Sequence, residues 1–84
     1  MTNNGDARPV ATLWQLALND DRLFCTIYRN DQGLQMRVES PTAVILSEAF
    51  ELQPRSFART RALRASLKRR GWQDAKAHSP KPTA

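Results

Sequence analysis

Between Thr12 and Leu18 the chain alternates. Trp14, Leu16 and Leu18 fall on one side of an extended backbone, with Leu13, Gln15 and Ala17 on the other. That period of two predicts a strand over about 12–18. Asn19-Asp20-Asp21 follows, a run whose short polar side chains bond their own backbone and tolerate turn dihedrals. Residues 22–29, RLFCTIYR, are rich in aromatic and β-branched side chains and predict a second strand. Asn30-Asp31-Gln32-Gly33 reads as a hairpin loop, with Gly33 able to take positive φ. Over 34–39, Leu34, Met36 and Val38 alternate with Gln35, Arg37 and Glu39, a third strand.

Ser40-Pro41-Thr42 interrupts that strand, and residues 43–52 read in two ways. A Ser N-cap followed by Pro at the first helical position would start a helix. Thr42, Val44 and Ile45, however, are β-branched and lose rotamer freedom in a helix. Val44, Leu46 and Phe50 also share one side of an extended chain, so a fourth strand over about 43–50 is preferred. Pro54 then fits the first position of a helix over about 54–70, whose sequence is mostly good helix formers. Gly71 suits the left-handed C′ position, and Trp72 can pack back on Leu67.

These elements predict an α+β fold: a four-stranded antiparallel β-meander with one C-terminal helix on one sheet face, ββββα. Phe57, Thr60, Leu63 and Leu67 recur at helical spacing and form the stripe expected to meet the sheet. They should meet the side that carries Trp14, Leu16, Leu18, Cys25, Met36 and Val44. Residues 1–11 read as a disordered arm, 12–72 as a single domain and 73–84 as a flexible tail. About sixty ordered residues make a marginal core, which favours association with a second copy.

The opposite sheet side carries Phe24, Thr26 and Tyr28, with Gln35, Arg37 and Glu39 beside them and Ile45 nearby. A fully solvated face would be polar throughout. Phe24 and Tyr28 therefore point to a homodimer contact, through this face or by extending the sheet at its edges, or to a surface on which bases stack.

Charge is divided unevenly. Residues 1–52 hold four basic and seven acidic side chains, 4 − 7 = −3, whereas residues 53–84 hold nine basic and only Asp74, 9 − 1 = +8, which restores the net +5. On the helix, Arg61, Arg64 and Lys68 form one strip and Arg55, Arg59 and Arg70 another, either side of the apolar stripe. Like charges three and four residues apart repel, so the helix favours an anionic neighbour. Glu48, Glu51 or Asp20 of the same chain could serve, as could a phosphate backbone. The bland alternative leaves the arginines simply solvated.

Catalytic chemistry finds no foothold. The glycines are isolated, Asp20 and Asp21 sit in a turn, and Glu48 and Glu51 lie near the helix entry. Cys25 is mid-strand and His78 lies in the tail, which leaves neither a disulfide framework nor an ordinary zinc site. No catalytic residue, metal ligand, cofactor or small-molecule substrate is expected. The longest apolar run, Ala43-Val44-Ile45-Leu46, cannot cross a bilayer, and Met1–Asp6 does not read as a leader. A cytoplasmic protein without a membrane partner is the expectation.

The element order in a basic chain resembles the unit of PUR-repeat and Whirly-type single-strand binders, which work as paired units. That resemblance covers topology, and no site position carries over from it. Ser79-Pro80-Lys81-Pro82 is similar to the basic Ser-Pro motifs of minor-groove binders. The expected function is thus non-specific nucleic-acid binding through Arg55, Arg59, Arg61, Arg64, Lys68, Arg69 and Arg70, aided by Arg37 and by Phe24 and Tyr28. The alternative is a homodimeric protein-interaction or structural module with no nucleic-acid role.

Overall fold

The computed structural model describes residues 7–75. Its elements, in chain order, are β1 (Arg8–Leu18), β2 (Asp21–Asn30), β3 (Gly33–Glu39), β4 (Val44–Phe50), α1 (Pro54–Arg69) and β5 (Gln73–Asp74). They form one antiparallel sheet in the order β4-β3-β2-β1-β5. The α+β meander with one helix is therefore present, and Val44–Phe50 is a strand rather than a helix. The residues read as arm and tail begin and end differently. β1 starts at Arg8, because β2 is long enough to pair with it as far as Arg29. Gln73 and Asp74 pair with Ala17 and Leu16 as a short fifth strand. Residues 1–6 of the expected arm and 76–84 of the expected tail, His78 and the Ser-Pro motif included, lie outside the described residues.

The turns follow the local chemistry. Asn19 takes φ 55° between β1 and β2, a left-handed conformation that Asn tolerates better than most residues. Between β2 and β3, Asn30 Oδ1 accepts the Gln32 N–H at 2.8 Å, and Gly33 at φ 122° closes the hairpin. The core gathers on one side of the sheet, around Leu16, Cys25 and Met36, with Trp14, Leu23, Ile27, Val38 and Phe50 about them.

Three extra residues break strict alternation, and two of them overturn the expected facing. Thr12 pairs with Thr26 but Trp14 with Cys25, so Leu13 is a bulge residue. It packs against the core instead of pointing away with Gln15. Val38 pairs with Leu46 but Glu39 with Val44, which makes Ile45 the inserted residue. The bulge turns Val44 to the side that carries Glu39, and Val44 is 52% exposed where the alternation had placed it under the helix. Val10 is the third, between Pro9 and Ala11.

Helix α1 starts with Pro54 at its first position, after an extended Gln53 that offers no side-chain cap. It ends as the sequence implies. The Gly71 N–H donates to Lys68 O at 3.1 Å and the Trp72 N–H to Leu67 O at 3.1 Å, with Gly71 at φ 108°. This is the Schellman pattern, and Trp72 packs against the core. Thr60 is the one buried helix residue, 3% exposed. The Trp14 indole N–H donates to its carbonyl at 3.0 Å, while Phe57 meets Phe50 edge to face at 5.1 Å. Side chains from β1 and β4 thus grip the same stretch of helix from two sides. No helix among the described residues is long and apolar enough to cross a membrane.

Two substitutions test this frame by urea denaturation. Trp14→Phe removes a buried donor and leaves a void, and should cost about 1–3 kcal/mol. A β-carbon on Gly71 would meet only Leu18 Cδ1, at an ordinary 3.7 Å. Gly71→Ala should nonetheless cost about 1–2 kcal/mol, all of it from the positive φ.

Candidate nucleic-acid interface

The two basic strips of α1 have different neighbours. On one side Arg59 reaches Glu48 of β4, with Nη2 2.7 Å from Oε2 and Nε 3.3 Å from Oε1. On the other, Arg64 donates twice to Asp74 of β5, at 2.9 and 2.8 Å, and Lys68 Nζ lies 2.6 Å from the same carboxylate. The helix is therefore laced to both edges of the sheet by its own cations. Glu48 was legible as a partner because β4 precedes the helix closely. Asp74 was not, since it lies past the helix stop at Gly71 in a segment with no periodicity; its only sequence signal is being the lone acid after residue 52.

These ion pairs lie in solvent, with side chains 33–51% exposed, so water and salt screen them and each holds weakly. They still leave a signature. The Lys68 ammonium and then the Arg64 guanidinium bonded to Asp74 hold its carboxyl below the ordinary value of 3.8. Arg59 does the same for Glu48, and the pairing raises Arg59 in turn.

Arg55, Arg61, Arg69 and Arg70 are exposed and have no carboxylate in ion-pair range among the described residues. Glu51 stands near the helix start but accepts from Gln53 Nε2 at 2.6 Å. Ala58, Ala62 and Ala65 are exposed on the helix between these arginines, so its outer surface is low between long cationic side chains. Arg61 and Arg64 also border an open groove of about 520 Å³ between α1 and β1, floored by Trp14 and Thr60.

The outer sheet side is organised differently. The Arg37 guanidinium lies 4.3 Å from the centroid of the Tyr28 ring, and its Nε donates to Gln35 Oε1 at 2.9 Å. The Tyr28 hydroxyl donates to Glu39 Oε2, an acceptor that raises the phenol pKa. Thr26, flanked in the sheet by Thr12 and Arg37, is buried on this side. One face of Tyr28 is thus already covered by a cation, whereas Phe24 is half-buried beside Glu39. Arg37, Phe24 and Tyr28 point away from the core side on which α1 packs. The sheet separates them from the helix arginines, so the predicted residues form two surfaces and not one.

Cys25 lies in the core, where burial pushes its thiol up to about 11. A thiol so placed is a packing group and a poor nucleophile at neutral pH.

The lowered carboxyl values fix a sign. Because Asp74 binds its proton less readily in the folded chain, its contribution to stability is present above 3.8 and is lost as pH falls through the lower folded value. The urea midpoint of the wild type should therefore drop between neutral pH and pH ~3 more steeply than that of Asp74→Asn/Glu48→Gln, followed by tryptophan fluorescence. Cys25 should resist a thiol reagent at neutral pH until urea opens the fold. Compared with known proteins, the chain matches no family model, no curated protein and no solved structure.

Proposed function

We propose that this protein is a non-enzymatic binding module for nucleic acid that contacts the phosphate backbone through helix α1, with little preference for sequence. The observation that carries the reading is the set of four exposed arginines, Arg55, Arg61, Arg69 and Arg70, which have no carboxylate partner among the described residues while Glu51 and Asp20 go unused by them. A chain that needed only to balance its helix could have paired them.

Arg59, Arg64 and Lys68 support the same reading in a second way. Their carboxylate partners are solvent-exposed, and a phosphate can replace an exposed carboxylate on a guanidinium with the same two-pronged geometry. Alanines between the arginines let a polyanion approach the helix backbone closely. Nothing on this surface offers a rigid, buried set of donors aimed at base edges, so affinity comes from charge and counterion release. Arg37 is left out of the contact, since it is committed to Tyr28 and Gln35 on the other side.

Fluorescence anisotropy with labelled single- and double-stranded oligonucleotides tests this. Binding should weaken linearly in a plot of log affinity against log salt, with a slope of about −0.7 to −0.9 per phosphate neutralised. Replacing Arg55, Arg61, Arg69 and Arg70 together by alanine should remove about three to four contacts' worth of that slope. Arg37→Ala should leave it unchanged. The absence of any binding at low salt would overturn the proposal, as would a salt slope indifferent to the four arginines.

A further inference from the structure

The two edges of the sheet are unlike. On β1 the free stretch begins with Arg8 and Pro9, carries bulges at Val10 and Leu13, and is covered beyond Gln15 by β5, with the Ala75 N–H donating to Gln15 O at 3.0 Å. Proline, charge, bulges and a covering strand are the devices by which proteins keep an edge from pairing. β4, the opposite edge, has no proline and no lysine. Its single bulge lies at its start, and its one charge, Glu48, is neutralised by Arg59.

Exposed apolar side chains concentrate at that same edge. Of the four large ones among the described residues, Val44 and Ile45 (52% and 62% exposed) lie at its start, and Leu52 (77%) lies just past its end. Only Val10 lies elsewhere. We infer that β4 is a self-association edge, on which the β4 strand of a second copy pairs antiparallel.

Antiparallel pairing about a two-fold axis suits this arrangement. It brings the Val44–Ile45 end of one copy to the Leu52 end of the other, so apolar groups at both ends are covered at once. With Ser47 on the axis, each Glu48 lies opposite a leucine, Leu46, and not opposite its own copy, which avoids like charges face to face. The outward N–H and C=O groups of β4 are self-complementary under that operation. An axis normal to the sheet keeps both helices on one side, so the two arginine surfaces would lie together. The pairing stands independently of what those surfaces bind.

Size sets the expected strength. Seven residues at about 3.4 Å each make an edge about 24 Å long. Pairing such edges buries on the order of 1,000 Å² in total, at the weak end of specific interfaces. The result is a concentration-dependent dimer, not an obligate one.

Sedimentation equilibrium on the full chain, without nucleic acid, tests this. The wild-type mass should rise from 9.5 kDa toward twice that value as concentration increases. Ile45→Lys/Ala49→Lys changes two exposed positions of β4. It should weaken association at least about tenfold, with the far-ultraviolet circular dichroism unchanged. Ser47→Cys should cross-link the dimer under mild oxidation, since Cys25 is buried and does not compete. A single-chain mass at every concentration up to ~1 mM overturns the inference. So does association that survives the lysine pair, including association dispersed only by Phe24→Ser/Tyr28→Ser.

Discussion

The hydrogen bond from the Trp14 indole to the Thr60 carbonyl, 3.0 Å long and buried, sets how the helix is rolled on the sheet. Indole N–H is a donor only, and a buried one must find an acceptor. With Phe57 fixed edge to face on Phe50 three residues earlier, the helix has no freedom to turn without breaking one contact or the other. Every cation on α1 inherits its direction from that setting. Arg59 falls over β4 and Arg64 and Lys68 over β5, while Arg55 and Arg69 remain on the outer side with the alanines.

This roll also explains why so short a strand as β5 matters. The Schellman turn at Gly71 reverses the chain so that Trp72 returns to the core and Gln73–Asp74 lie against β1. Asp74 is thereby carried beneath two cations on successive turns of α1, Arg64 and Lys68. One acid then satisfies two bases. The arginines further round the helix gain nothing from it, and a surface with surplus positive charge remains.

The sheet divides the molecule's chemistry into sides and edges. Its inner side is spent on the core, and its outer side on a closed group in which Tyr28, Glu39, Arg37 and Gln35 satisfy one another. Among the described residues, the outer surface of α1 gathers exposed arginines and the edge at β4 gathers exposed apolar side chains. One is cationic and long-range in its reach; the other is apolar and acts only at contact. They do not overlap, so a second copy and a polyanion would not compete for the same residues.

Much of the fold was legible in the sequence because its signals are local. Alternation in 22–29 and 34–39, the turn chemistry around Gly33, and the Pro54 start and Gly71 stop of the helix each depend on neighbours a few residues away. The imbalance of charge toward the C-terminal part was equally plain. Tertiary structure alone decided the rest. Bulges at Leu13 and Ile45 are faults of pairing between strands, so alternation within one strand could not announce that Leu13 turns inward or that Val44 turns out. Which arginines are held and which are free depended on carboxylates brought near by folding, and Asp74 became a partner only because a two-residue strand found space at the edge of β1. That Arg37 and the helix cations lie on opposite sides of a sheet was likewise a matter of layers. A linear pattern of charge carries no information about what stands between two residues in space.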